Sequence, residues 1–197
     1  MLGMQTLGIS DSTPRGESRL KSLFWPAIES SFDVEYLALQ GYWVCTLVAV
    51  LSFLLLLAAG QPTTAGIVSL LFYLGGVGVR EHNRFAATIV FAYYVLSTLT
   101  SLHSLVGSPA GTVIRVIISA LLLSNLRATW IAAGWKSGSD EAAETVRLSA
   151  TWTDKFANQY PAWLWPKVKV FYYILSIGLL FVVGLGLIAM AFHLPRG

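Results

Sequence analysis

Apolar side chains fall in this chain as long unbroken blocks. Neither the two-residue alternation of a half-buried strand nor the single stripe of a soluble surface helix divides them. Five blocks stand out, at about residues 42–59, 64–79, 85–105, 112–130 and 170–192. A helix rising 1.5 Å per residue needs about 20 apolar residues to cross a hydrocarbon core about 30 Å thick. The blocks approach or meet that length, the second being the shortest at about 24 Å. The breaks between them are Gln61-Pro62-Thr63, Arg80-Glu81-His82-Asn83-Arg84, Gly107-Ser108-Pro109-Ala110-Gly111 and the polar stretch 136–166. The pattern predicts an all-α integral membrane protein, a bundle of about five transmembrane helices. It divides into a segment 1–41, a four-helix region 42–135, an amphipathic loop 136–169 and a fifth span with a short tail, 170–197.

Two stretches are amphipathic rather than uniformly apolar. Phe24, Ile28, Phe32 and Leu37 alternate with Glu29, Asp33 and Glu35, as either a short helix lying on a membrane surface or an irregular amphipathic linker would show. In the loop, Ser139-Asp140-Glu141 supplies a capping hydroxyl and first-turn acids. Leu148, Trp152, Phe156 and Tyr160 then follow at i, i+4 spacing. That stripe suits headgroups or a partner protein, and Pro166-Lys167 is expected to break it from the last span. Gly75, Gly76 and Gly78 in the second span, and Gly178, Gly184 and Gly186 in the fifth, are candidate notches for close helix packing. Ala58-Ala59-Gly60 resembles a signal-peptide cleavage site, but the long lead and the later blocks favour an uncleaved anchor.

Composition sharpens this picture. The chain is 55% hydrophobic and 12% charged, against about 25% charged in soluble domains. Its net charge of +3 comes from basic residues at span ends, with no stripe or motif for reading nucleic acid. Placing the N-terminus inside puts Arg15, Arg19, Lys21, Arg80, Arg84, Arg127, Lys136, Arg147, Lys155, Lys167 and Lys169 on the cytoplasmic side. Only Arg115 and Arg196 remain outside, so the positive-inside rule gives five spans, N-inside and C-outside, in a membrane of bacterial inner-membrane type. All ten acids also fall inside.

Candidate chemistry is sparse. The sequence has no HExxH, Walker A, CxxC or GxSxG, and its single cysteine, Cys45, lies within the first apolar block. No carboxylate falls within a predicted span, which argues against a carboxylate proton relay or an acid-coupled transporter. His103, His193 and Arg115 share the predicted outer membrane level. Two imidazoles there could ligate haem iron, with the arginine on a propionate. Arg80 and Arg84 in the central turn, with Leu148, Trp152, Phe156 and Tyr160, are candidate contacts for lipid or partner. His82 in that turn is expected to be solvated. Ser97, Thr98, Thr100, Ser101, His103 and Ser104 make the outer half of the third span polar, so they either line a water-filled path or bond to neighbouring helices. The sequence-level expectation is a non-catalytic accessory or structural subunit of a larger membrane complex. The alternatives are a small haem-binding redox protein using His103 and His193, and a small transporter or channel-like module.

Overall fold

The computed structural model describes residues 19–28, 31–100, 109–135 and 152–193. These are helical almost throughout, with no strand among the described residues. The helices are α1 (Arg19–Phe24), α2 (Ser31–Ala58), α3 (Pro62–Arg80), α4 (Arg84–Thr100) and α5 (Pro109–Trp135). Last comes α6, which starts at Trp152–Asp154, passes through a π-turn at Lys155–Gln159 and continues as Tyr160–His193. Four of these, α2, α3, α5 and α6, are long and apolar enough to cross a membrane, and α4 is a shorter apolar helix.

Helices α2, α3, α4 and α5 close into a ring in which each touches the next and α5 returns to α2. Helix α6 lies against α3 and α4 from outside the ring. The approach of α3 to its neighbours depends on missing side chains. A Cβ on Gly76 would sit 2.7 Å from Cys45 Cβ of α2. One on Gly78 would sit 2.5 Å from Ala86 Cβ of α4 and 2.6 Å from the Trp165 ring of α6. Gly75 meets Val90 and Tyr172 in the same way. The three expected notches of α3 are thus occupied by three different helices. Gly178, Gly184 and Gly186 of α6 differ, since among the described residues nothing beyond their own helix backbone lies within 4 Å of a Cβ built on them.

Helix α3 is bounded by two turns of one geometry. At its start, Gly60 N–H donates to Leu57 O (3.0 Å) and Gln61 N–H to Leu56 O (2.9 Å), with Gly60 at φ +74°. At its end, His82 N–H donates to Val79 O (3.0 Å) and Asn83 N–H to Gly78 O (2.9 Å), with His82 at φ +52°. Both are Schellman closures, which satisfy two terminal carbonyls through one left-handed residue. Pro62 then opens α3, where its missing N–H costs no helix bond. Asn83 opens α4, its Oδ1 accepting from Ala86 N–H at 2.9 Å.

Two sequence expectations need correction, and a third is described only in part. The surface helix expected to start at Phe24 does not form. Instead α1 ends at Phe24, a Trp25-Pro26 bend follows, and α2 already runs from Ser31. Helical hydrogen bonding continues past an apolar block into polar sequence, so the end of the block is not the end of the helix. Pro166 does not break α6 either, for it lies inside the helix. The amphipathic stripe from Trp152 onward is therefore the first part of one rod roughly 60 Å long. Finally, the third apolar block is helical from Arg84 to Thr100, and residues 101–108 lie outside the described residues.

Candidate functional site

The helix ends carrying charge come together at one end of the bundle. There the carboxylate of Glu35, one turn into α2, faces two side chains of the α3–α4 turn. Arg80 Nη2 lies 2.6 Å from Glu35 Oε1, and His82 Nε2 lies 3.0 Å from Glu35 Oε2. The arginine also reaches α6: its Nε donates to Ala157 O at 2.9 Å and its Nη2 to Asn158 Oδ1 at 2.6 Å. The Arg80 side chain is only 2% exposed. Next to it, Tyr173 O–H donates to Asn83 Oδ1 at 3.0 Å, so the α4 cap is also tied to α6.

The sequence around Asn158 explains why the arginine is received there. In an α-helix Ala157 C=O would accept from the N–H four residues later. That residue is Pro161, which has none. The helix opens into a π-turn over Lys155–Gln159, as helices often do at strained positions. The Arg80 guanidinium supplies the donor that the proline removed. Because a buried carbonyl or guanidinium N–H without a partner costs about 1–3 kcal/mol, each satisfies the other's need.

Arg80, a candidate contact for lipid or partner, is thus inside the protein. The reason is the early start of α2, which carries Glu35 onto the end of α3. His82, expected in solvent, has only 17% of its side chain exposed and faces the same carboxylate. Glu35, Ala157, Asn158 and Tyr173 were absent from the sequence-based candidates. Pro161, four residues after Ala157, was the one signal that pointed there.

The other candidates are distributed along the bundle. Arg84 lies with its guanidinium 5.2 Å from the Phe85 ring centroid and 5.4 Å from that of Trp130. Trp152, Phe156 and Tyr160 form a ladder along α6, with neighbouring rings 6.0 and 5.8 Å apart and nearly parallel. Phe156 meets Tyr42 and Trp43 of α2, whereas Trp152 is 80% exposed. Leu148 lies outside the described residues, as does His103. His193 ends α6, with its side chain outside the description. Arg115 is half-buried on α5 and close enough to Tyr94 of α4 for a Coulombic interaction.

The polar face of α4 has a local explanation. Ser97 Oγ and Thr98 Oγ1 donate to Tyr94 O at 2.9 and 2.8 Å, and Thr100 Oγ1 donates to Ser97 O at 2.9 Å. Each of these three hydroxyls bonds to a backbone carbonyl of its own helix, and Ser101, His103 and Ser104 lie outside the described residues. At the charged end, Arg127 Nη1 donates to Pro26 O at 2.9 Å while its guanidinium covers the Trp25 ring at 4.7 Å. This holds the α1–α2 bend on the end of α5. Among the described residues no group of three or more His, Cys, Asp or Glu side chains is placed to share a metal ion.

Compared with known proteins, the chain matches no family model, and no curated protein or solved structure shows significant similarity to it.

Proposed function

We propose that this protein is a non-catalytic accessory subunit of a larger membrane complex, spanning the bilayer five times with the charged end of the bundle in the cytoplasm. In this reading α4 is the additional span. Helix α1 and the Trp152–Tyr160 ladder lie along the cytoplasmic headgroups, where aromatic and basic side chains are favoured.

The observation that carries the proposal is the difference along α6. Its first half is held by Arg80, Tyr173, Trp165 and Phe156. Farther on, Ile174, Ile177, Phe181, Val182, Leu185, Ile188 and Phe192 are all exposed. The glycines at 178, 184 and 186 among them face open space. Small residues within an apolar span let another helix approach closely, which lipid alone does not require. Arg115 fits the same reading, since an arginine inside a span is kept where a neighbouring group receives it. The sequence places no acid on the outer side to receive it.

Cysteine crosslinking in native membranes from Gly184→Cys, followed by native mass spectrometry of the unmodified protein in mild detergent, tests this. The expected result is a crosslinked product and a co-purified species whose mass excess is one defined protein. A monomer in both experiments overturns the subunit reading. A Soret band in the purified protein would instead favour the haem reading built on His103 and His193.

A further inference from the structure

A cavity of about 220 Å³ opens between the α3–α4 turn and the last turns of α5, lined by His82, Asn83, Arg84, Phe85, Ala132 and Ala133. That is several times the roughly 30 Å³ of a single water in the liquid. Its lining is divided: Phe85, Ala132 and Ala133 are apolar, and Arg84, His82 and Asn83 form the polar side.

The nitrogen-bearing side chains of the turn are used differently. Arg80 is consumed by Glu35, Ala157 and Asn158, and His82 faces the second oxygen of Glu35. Arg84 pairs with no carboxylate among the described residues; its contacts are the Phe85 and Trp130 rings. Those contacts fix it in place. Trp130 Nε1–H donates to Thr88 Oγ1 at 3.2 Å, and Thr88 Oγ1 donates to the Arg84 carbonyl at 2.7 Å. The exposed guanidinium therefore lies against aromatic faces, with no carboxylate of the described residues paired to it, beside the N-terminus of a 17-residue helix. Helix N-termini and forked guanidinium groups both favour oxyanions, phosphate above all. Of the acids nearby, Glu35 is engaged with Arg80 and His82, and Glu81 is not among the lining residues.

We infer that this cavity binds a phosphate group, with Arg84 as its principal ligand, and that the phosphate belongs to an anionic phospholipid. The apolar half of the lining accounts for the second part. Phe85, Ala132 and Ala133 offer hydrocarbon contact directly beside the charge, which a glycerol and the start of an acyl chain would use and a free anion would not. The inference rests on the membrane-embedded reading and needs no partner subunit, so it stands or falls separately from the crosslinking result.

The test places the protein in nanodiscs of equal phosphatidylglycerol and phosphatidylcholine and counts lipids retained on release into native mass spectrometry. Phosphatidylglycerol should be retained preferentially, and Arg84→Gln should lower that retention about fivefold, the effect of one basic residue at a membrane surface. Arg84→Lys should retain an intermediate amount, because the charge remains and the fork is lost. Ala133→Phe fills the cavity with the charge untouched and should abolish the preference. It also serves, with Arg84→Lys, if Arg84→Gln fails to fold. In a parallel arm, excess inorganic phosphate should compete weakly. If phosphate alone displaces all retained lipid and no lipid preference exists, the same site takes the free anion and the phospholipid assignment is wrong. Retention unchanged by both Arg84→Gln and Ala133→Phe overturns the site altogether.

Discussion

The two ends of α3 close with the same hydrogen-bond pattern but with different residues. At the Pro62 end the left-handed position is Gly60, around which a Cβ would meet nothing within 4 Å. At the Arg80 end it is His82, a residue that bears a steric penalty at φ +52°. Glycine would close that turn as well. What histidine adds is an imidazole 3.0 Å from Glu35, on the far side of a helix boundary. One turn serves only to reverse the chain. The other also holds α2, α3, α4 and α6 together. A residue kept at a backbone cost is a sign that its side chain is in use.

The largest effect that separates the two ends should come from Arg80→Leu. It leaves the Glu35 carboxylate without its closest partner and the Ala157 carbonyl without a donor. Loss of one member of a buried pair costs about 3–5 kcal/mol. A strongly lowered Tm in detergent is expected, partly recovered in the Arg80→Leu, Glu35→Leu double variant. Additive losses in that double variant would mean that the pair contributes no coupling.

Next in size is Pro161→Ala. The new N–H at residue 161 offers Ala157 C=O an ordinary helical donor, so Arg80 Nε is displaced and left buried. A cost of about 1–3 kcal/mol follows. Urea unfolding should register it, and Pro161→Ala combined with Arg80→Leu should lose less than the sum of the two. Full stability in Pro161→Ala alone would remove Arg80 from the π-turn account.

At the other end of α3, Gly60→Ala should cost roughly 1–2 kcal/mol, the penalty for an L-residue in the left-handed region. No contact is involved, so Gly60→Asn should recover part of it. The smallest effect is expected for His82→Gly. Relief of backbone strain offsets the lost Glu35 contact, leaving a net change below about 1 kcal/mol. His82→Ala keeps the strain and loses the contact, so it should be the less stable of the two. Equal melting temperatures for His82→Gly and His82→Ala would show that the histidine backbone is not strained.

The helical class and the position of the α3–α4 turn were legible because charge cannot remain in hydrocarbon without a partner. Arg80-Glu81-His82-Asn83-Arg84 had to end two helices, and it does. Gly75, Gly76 and Gly78 were legible for a similar reason, since an apolar helix with no side chain on one face invites a neighbour. The partner of Arg80 was hidden. The apolar pattern stops at Tyr42, while α2 extends back to Ser31 and brings an acid with it. Asn158 and the Ala157 carbonyl are 78 and 77 positions from Arg80, and no local periodicity encodes that meeting. Pro166 misled because a proline interrupts a helix only where its lost bond and its bulk are not absorbed. Here the rod is carried through both Pro161 and Pro166.

The bond between Arg80 and Ala157 also sets an order of events during synthesis. Arg80 leaves the ribosome 77 residues ahead of its acceptor. At about 5–20 residues per second, that gap lasts roughly 4–15 s. Glu35 of α2 precedes Arg80 in the chain, whereas α4 and α5 are made during the interval. The π-turn follows them and adds its acceptors to the guanidinium. A chain that stops before residue 157 therefore lacks the two acceptors that α6 brings to Arg80, the Ala157 carbonyl and the Asn158 amide oxygen.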